Sequence, residues 1–368
     1  MPSAPDLAAP RDFFSLLPRE FDAALKELGW PRFRGKQVRD WVYDKRVLDP
    51  QSFSNLSKLE RARIAERFTF GTAQVAAHQS SCDGTQKLLL RCADGSTAET
   101  VMIPDADRRT ACVSSQVGCP VGCKFCASGI GGVKGNLTAG QIVEQVVRLN
   151  EVLSPRAAGG SPTSVGLNSD RINHIVFMGM GEPLANYSNV LQAVRILHDP
   201  ECLNIGARKI TISTVGVPAR MRQLADEDLP LNLAISLHAP NEQLRRELIP
   251  WAEHFAMDDI LDAARHYFDQ TGREVTLEYI LLSGVNDRPE HARQLAQVCR
   301  TLRANVNLIR YNEVATLPYK RPVSDDVVTF QQVLRNNGVN AHVRKSRGRD
   351  IDAACGQLRR KEELVQIG

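Results

Sequence analysis

Cys119-Pro-Val-Gly-Cys123-Lys-Phe-Cys126 decides how this chain is read. Three thiols at C-x3-C-x2-C spacing lie within eight residues, directly after the strand-like run Ala111–Val117. Cysteines so spaced converge only if the loop curls around something at its centre. Soft thiolates select zinc, copper(I) or iron–sulfur clusters. A closed structural zinc site takes four protein ligands, and no His lies between His78 and His174 to complete one. Three cysteines on a four-iron cluster leave one iron open to a non-protein ligand, whereas four-cysteine ligation is the rule for electron carriers. A zinc knuckle and three ordinary buried cysteines are the competing readings.

Outward from this loop, the chain from 105 to about 345 alternates apolar strands with helical stretches. Strands are expected at Ala111–Val117, His174–Met178, Lys209–Thr214, Leu231–Leu237, Val275–Leu282 and Asn305–Arg310, with helices such as Ala139–Val152 and Asn189–His198 between them. This is a parallel α/β pattern. Six such units without a dinucleotide fingerprint predict a partial (βα)6 barrel, TIM-like, with its chemistry at the carboxyl ends of the strands. Polar motifs fall at those ends: Met178-Gly-Met-Gly-Glu-Pro183, Ser213-Thr214, Ser236-Leu237-His238 and Arg310-Tyr-Asn312. Ser, His and Asn there can hydrogen-bond a ribose, a carboxylate or an adenine edge. Helix caps and a structural His238 are the plainer readings.

Before the barrel, residues 1–70 read as a small helical domain whose apolar run from Phe13 stops at Gly29. Residues 30–46 hold six basic residues against two acidic ones, interleaved with aromatics. That mixture suits an RNA-binding surface, or a solvated face with Trp41 and Tyr43 in the core. Residues 71–104 read as a short antiparallel β linker, with strands at Lys87–Arg91 and Thr100–Pro104. Residues 346–368 form a C-terminal segment in which Cys355 follows a basic, Gly-containing stretch. Residues 154–170 read as a loop with no function assigned.

The 368 residues are 43% hydrophobic and 24% charged with net charge +4, an ordinary globular composition that leaves nucleic-acid binding to charge distribution. No apolar run spans a bilayer, and Met1-Pro-Ser-Ala-Pro-Asp6 lacks the regions of a signal peptide. A cytoplasmic location is expected, where clustered cysteines are more often metal-binding or catalytic. Cys82, Cys92, Cys202 and Cys299 match no motif and are expected in the core.

The cysteine triplet with GMGEP resembles the radical S-adenosylmethionine (SAM) enzymes. From Phe33 to Leu358 the chain is similar to one family among them, the bacterial RlmN adenosine-C2 RNA methyltransferases. The resemblance is carried by FRGKQVRDWVY (33–43), AETVMIPD (98–105), CVSSQVGCPVGCKFC (112–126), FMGMGEP (177–183), ISLHAPN (235–241) and VRKSRGRDIDAACGQL (343–358). It implies a radical SAM barrel in which Cys119, Cys123 and Cys126 hold a [4Fe-4S] cluster whose open iron chelates SAM. Gly181, Glu182, Ser213, Ser236, Leu237, His238 and Asn312 would contact that SAM. One SAM would methylate Cys355. A radical made from a second would take hydrogen from the S-methyl group, and the carbon would add to C2, an amidine carbon that ordinary displacement cannot reach. Cys112 would then attack the Cys355 sulfur, leaving a transient disulfide, and Glu99 would take the C2 proton. The implied substrates are 23S rRNA near the peptidyl-transferase centre and the tRNA adenosine beside the anticodon. The implied partner is a flavodoxin-like electron donor, and the chain would act as a monomer. The chain departs from the family after Asn312, where a Pro-rich loop is usual, and in the Gly-rich stretch 129–135. A related C8-methylating enzyme and a non-catalytic zinc RNA-binding protein are the alternatives.

Overall fold

A computed structural model describes residues 9–153 and 171–358. The 154–170 segment, the first eight residues and 359–368 lie outside the described residues. One ten-stranded sheet organises the chain, with strands neighbouring one another in sequence order. Its antiparallel part is β1 (Gln74–Ser80), β2 (Gln86–Arg91), β3 (Thr97–Asp105) and β4 (Arg108–Cys112). From β4 the sheet runs parallel through β5 (His174–Phe177), β6 (Ile210–Thr214), β7 (Asn232–Ser236), β8 (Val275–Leu281), β9 (Ala304–Arg310) and β10 (Ala341–Arg344).

The six βα units of the partial barrel are present, and β10 adds a seventh parallel strand after them. That strand is hidden in sequence because the four residues Ala341–Arg344 run straight into a basic stretch. The first barrel strand also differs from the expected Ala111–Val117. The chain leaves the sheet after Cys112, and Gln116–Gly118 pairs instead with Val133–Asn136 in a separate hairpin. Ser115 and Gln116 turn there by donating to the Met180 carbonyl. Residues 71–104 do not stand apart from the barrel, because β3 pairs with β4 along five residues and so extends the same sheet.

Helices α1 (Pro18–Glu27), α2 (Phe33–Arg39) and α3 (Lys58–Arg67) form the N-terminal unit. Its core is aromatic: Phe13 lies 4.9 Å from both the Phe21 and Phe70 rings. The unit docks on the barrel through Gly140 N–H donating to Ser15 Oγ at 3.0 Å and through Arg39, which bridges Asp22 and Glu201. Arg39 is therefore a buried structural cation, whereas Arg32, Phe33 and Lys36 remain exposed. Tyr43 is buried, and Trp41 stacks on Phe53 with Lys45 over its ring. The basic segment thus divides between core and surface.

Barrel helices α4 (Ala139–Leu153), α5 (Tyr187–His198), α6 (Pro218–Ala225), α7 (Glu242–Leu248), α8 (Met257–Thr271), α9 (Pro289–Cys299) and α10 (Ser324–Asn336) follow the strands. Proline opens α6 and α9, where its missing N–H costs nothing. The strands are nearly continuous in apolar residues because both faces are covered; in β8 every residue but Thr276 is buried.

Candidate active site

The cysteine loop follows the Gln116–Gly118 strand and sits on the carboxyl end of the parallel sheet. Lys124 N–H donates to the Leu248 carbonyl, which fixes the loop to the end of α7. Phe125 packs edge-on against the His238 ring at 5.0 Å. Cys119, Cys123 and Cys126 border an apolar shell that includes Val121, Val215, Ile249 and Tyr311. Burial pushes all three thiols up, Cys119 to about 12. Thiolates in such a shell need a cation among them. The three thiols are close enough for their charges to raise one another, and three thiolates so grouped fit three irons of a [4Fe-4S] cluster with the fourth left open.

The strand-end residues gather beside the loop. Glu182 accepts from Leu184 N–H through Oε1 at 2.9 Å and from Val215 N–H through Oε2 at 2.8 Å. Burial raises its carboxyl to about 7 against the pull of those hydrogen bonds. With the Thr214 hydroxyl also close enough to pull that value down, the carboxylate still has acceptor capacity for an ammonium group. Gly181 has φ +105°, and a Cβ there would stand 2.7 Å from Gln116 Cβ and Ser115 Oγ, so glycine is what lets this turn close. Ser213 and Ser236 hydroxyls lie 3.4 Å apart on adjacent strands. His238 Nδ1 accepts from Ile280 N–H at 3.1 Å, which assigns the proton to Nε2. Burial and then Arg245 hold His238 down to about 3, so it is neutral. Leu237 is fully buried, with its N–H on the Glu278 carbonyl. Asn312 Oδ1 accepts from Arg321 at 3.1 Å, and its Nδ2 donates to the Cys355 carbonyl at 3.3 Å.

Cys112 and Cys355 come from distant parts of the sequence and line one open pocket, with Met178, Asn312 and Arg344. Cys112 is buried at the end of β4, and Cys355 is half-buried on the strap Gly348–Leu358. Burial first, and Cys355 second, push the Cys112 thiol up to about 12, with Arg344 opposing. All nine cysteines are free thiols. The strap's far end rests on the cluster loop: Ala127 N–H donates to the Gly356 carbonyl at 2.8 Å, and Ser128 Oγ to the Leu358 carbonyl at 2.6 Å. Its near end hangs on the β1–β2 turn. Asp350 accepts from Ser81 Oγ at 2.6 Å and Cys82 N–H at 3.1 Å, and Asp83 accepts from Gly348 N–H at 3.0 Å. Cys82 is therefore exposed in a turn, not in the core as expected; Cys92, Cys202 and Cys299 are buried.

Glu99 is buried on β3 in an ion pair with Lys87, Nζ to Oε1 3.3 Å. Sequence reasoning missed several partners. Arg344, ion-paired with Glu278 at 3.4 Å, stands by both pocket thiols, and its place in a basic run reads as surface. Arg245 is buried near Cys123 and donates to the Val215 carbonyl at 2.6 Å. Lys87 opens a run of three leucines, a pattern that marks a strand but not which face is inward.

The radical SAM superfamily matches residues 113–296, and a domain described as the ribosomal RNA large subunit methyltransferase N-terminal domain matches residues 12–70. A protein of Rhodopirellula baltica named probable dual-specificity RNA methyltransferase RlmN is 45% identical over 93% of this chain and 89% of its own length. A protein of the same name from Symbiobacterium thermophilum is 46% identical over 94% and 90%. A solved radical SAM methyltransferase from Sphaerobacter thermophilus superposes with TM-score 0.88 at 42% identity, covering 95% of this chain and 99% of that one.

Proposed function

The chain belongs to the RlmN family of radical SAM RNA methyltransferases, and on that premise we propose that it methylates C2 of adenosine through an S-methyl group on Cys355. The proposed substrates are 23S rRNA near the peptidyl-transferase centre and the tRNA adenosine next to the anticodon. A flavodoxin-like reductant, action as a monomer and a cytoplasmic setting go with this reading. No helix among the described residues is long and apolar enough to cross a membrane.

What supports the reading best is that Cys112 and Cys355 face one pocket whose rim is braced on the cysteine loop. Cys119, Cys123 and Cys126 would hold the [4Fe-4S] cluster. Glu182 would accept from the SAM ammonium, while Ser213, Ser236, Asn312 and the turns at Gly181 and Leu237–His238 would enclose the remainder. When bound, the cluster and its SAM would supply the 5′-deoxyadenosyl radical and would serve as the one-electron donor and acceptor that balances the reaction. Cys355 Sγ loses its proton and takes a methyl group from another SAM molecule. The methylene carbon left on Cys355 after hydrogen loss bonds to C2. Glu99 takes the C2 proton. Cys112, as thiolate, then attacks the Cys355 sulfur. The sulfur–carbon bond breaks, its electron pair picks up a proton at carbon, and the resulting Cys112–Cys355 disulfide awaits a reductant.

An anaerobic turnover of reconstituted protein with reductant, SAM and an rRNA fragment tests this. Wild type is expected to give 5′-deoxyadenosine and 2-methyladenosine, and Cys355→Ala no methylated base. Methylation by Cys355→Ala would place the methyl carrier elsewhere. Recovery of 8-methyladenosine alone would move the attack to C8.

A further inference from the structure

The register of β2, β3 and β4 places Lys87 opposite Val101, and Val101 opposite Cys112. Directly opposed residues point to the same face of a sheet, and so do residues two apart on one strand. Glu99 and Ile103 flank Val101 at that interval. Ile103 lines the pocket shared by Cys112 and Cys355. Lys87 and Glu99 therefore lie on the pocket face, in the rows beside Cys112.

Both side chains of the pair are shielded, Lys87 at 4% and Glu99 at 5% exposure. A buried ammonium is costly wherever an apolar side chain of similar volume could stand, so its retention calls for a purpose. Lys87 Nζ makes a second contact: it donates to the Asp352 carbonyl at 3.3 Å. Asp352 is three residues before Cys355 and adopts the left-handed φ of 51° where the strap turns. One ammonium thus touches the carboxylate of Glu99 and the backbone that carries Cys355.

We propose that Lys87 is a positioning residue that fixes the Glu99 carboxylate and the Cys355 strap relative to each other. When the carbon on Cys355 is bonded to adenine, the carboxylate is then held at the proton that must leave. The inference rests on the methyl-transfer reading above. Its signature is a split between early and late steps. Methylation of Cys355 and SAM cleavage need no carboxylate at the adenine, whereas release of the methylated base does.

The test uses reconstituted Lys87→Met in a single turnover with reductant, SAM and an rRNA fragment. Cys355 methylation, read by peptide mass, and 5′-deoxyadenosine are expected near wild-type levels. Methylated adenosine should fall about tenfold, as expected for loss of a charged hydrogen bond, and a covalent RNA adduct on Cys355 should accumulate. Amide exchange at 350–356 should rise in the same protein, and Lys87→Arg, which keeps the charge, should recover part of the product. An unchanged ratio of methylated adenosine to 5′-deoxyadenosine overturns the proposal. Equal loss of Cys355 methylation and product also overturns it, since that pattern describes a residue holding the fold alone. Should Lys87→Met fail to fold, Lys87→Gln is read by the same criteria. A wild type that cleaves SAM but methylates no adenosine brings down the methyl-transfer reading itself, and the role of Lys87 with it.

Discussion

The loop of Cys119–Cys126 and the strap of Gly348–Leu358 meet at one site but are held in opposite ways. The loop is short and locally determined. Its three thiols lie within eight residues, its backbone is tied to α7, and Phe125 and Val121 anchor it in an apolar shell. The strap is determined from far away. Ser81, Cys82 and Asp83 on the β1–β2 turn and Lys87 on β2 hold its near half, while Ala127 and Ser128 hold its far half. On the proposed reading, the part that would keep a cofactor in place is anchored in an apolar shell, and the part that would carry a methyl group is held by hydrogen bonds to two distant elements.

Removing a cluster ligand separates the two most sharply. Cys123→Ala should abolish absorbance near ~400 nm in reconstituted protein, since two thiols cannot retain a cube that needs three. It should also abolish 5′-deoxyadenosine formation, whereas Cys355→Ala keeps both. A Cys123→Ala protein that still cleaved SAM would mean that the loop is not the cluster site.

Glu182 sharpens the comparison through stability. Its carboxyl is raised from 4.5 to about 7 by burial. A raised folded-state value means that the folded chain binds the proton more tightly than the unfolded one. The stability this gives is full below pH 4.5 and is lost as pH rises through 7. At pH 8 the ionised, buried carboxylate should cost the cofactor-free chain on the order of 3 kcal/mol. Glu182→Gln, neutral at every pH, leaves one of the two N–H donors facing its NH2 group, but it lacks the titration, so its stability relative to wild type should improve by about that amount between pH 4.5 and pH 8. It should bind SAM poorly throughout. Urea unfolding at the two pH values checks the first part, and a difference between the two proteins that does not change with pH would show that Glu182 is better solvated than its burial implies. The function of the site is thus set against the stability of the fold.

How much of this was legible follows the same division. The cysteine spacing, the glycine turn before Glu182 and the βα rhythm could be read because each is a local pattern: a spacing, a turn or an apolar run. Cys112 and Cys355 were assigned from whole-motif resemblance, because no spacing links residues at opposite ends of the barrel domain. Arg344, Lys87 and the Asp350–Ser81 contact were not legible. Each is a polar residue whose partner is fixed only when β4 and β10 bring the two ends of the chain to the same site. The strand β10 was missed for a related reason: four residues of mixed polarity form a strand there because β9 offers an edge. The exposed Cys82 shows the converse, an unmotivated thiol placed in the core by habit of residue type and put outside by the turn at Asp83-Gly84.

Gly348 gives the smallest effect and the finest test of how the strap is hung. It has φ +63°, and a Cβ there would stand 2.8 Å from Ala353 Cβ and 2.9 Å from Thr85 Cγ2. Gly272, which ends α8, has nearly the same φ of +66° with nothing within 4 Å of an added Cβ. Alanine at either position carries the left-handed backbone penalty of about 1–2 kcal/mol, but only at 348 must the strap also move away from the β1–β2 turn. Gly272→Ala should lower the melting temperature and leave the yield of methylated adenosine per 5′-deoxyadenosine unchanged. Gly348→Ala should lower the melting temperature further and cut that yield about tenfold, as expected for about 1.4 kcal/mol of misplacement. Its cluster absorbance should stay at the Gly272→Ala level. If both alanines leave the yield alike, the strap is positioned by its far-end contacts on the cluster loop, and the near-end suspension from the hairpin only stabilises the fold.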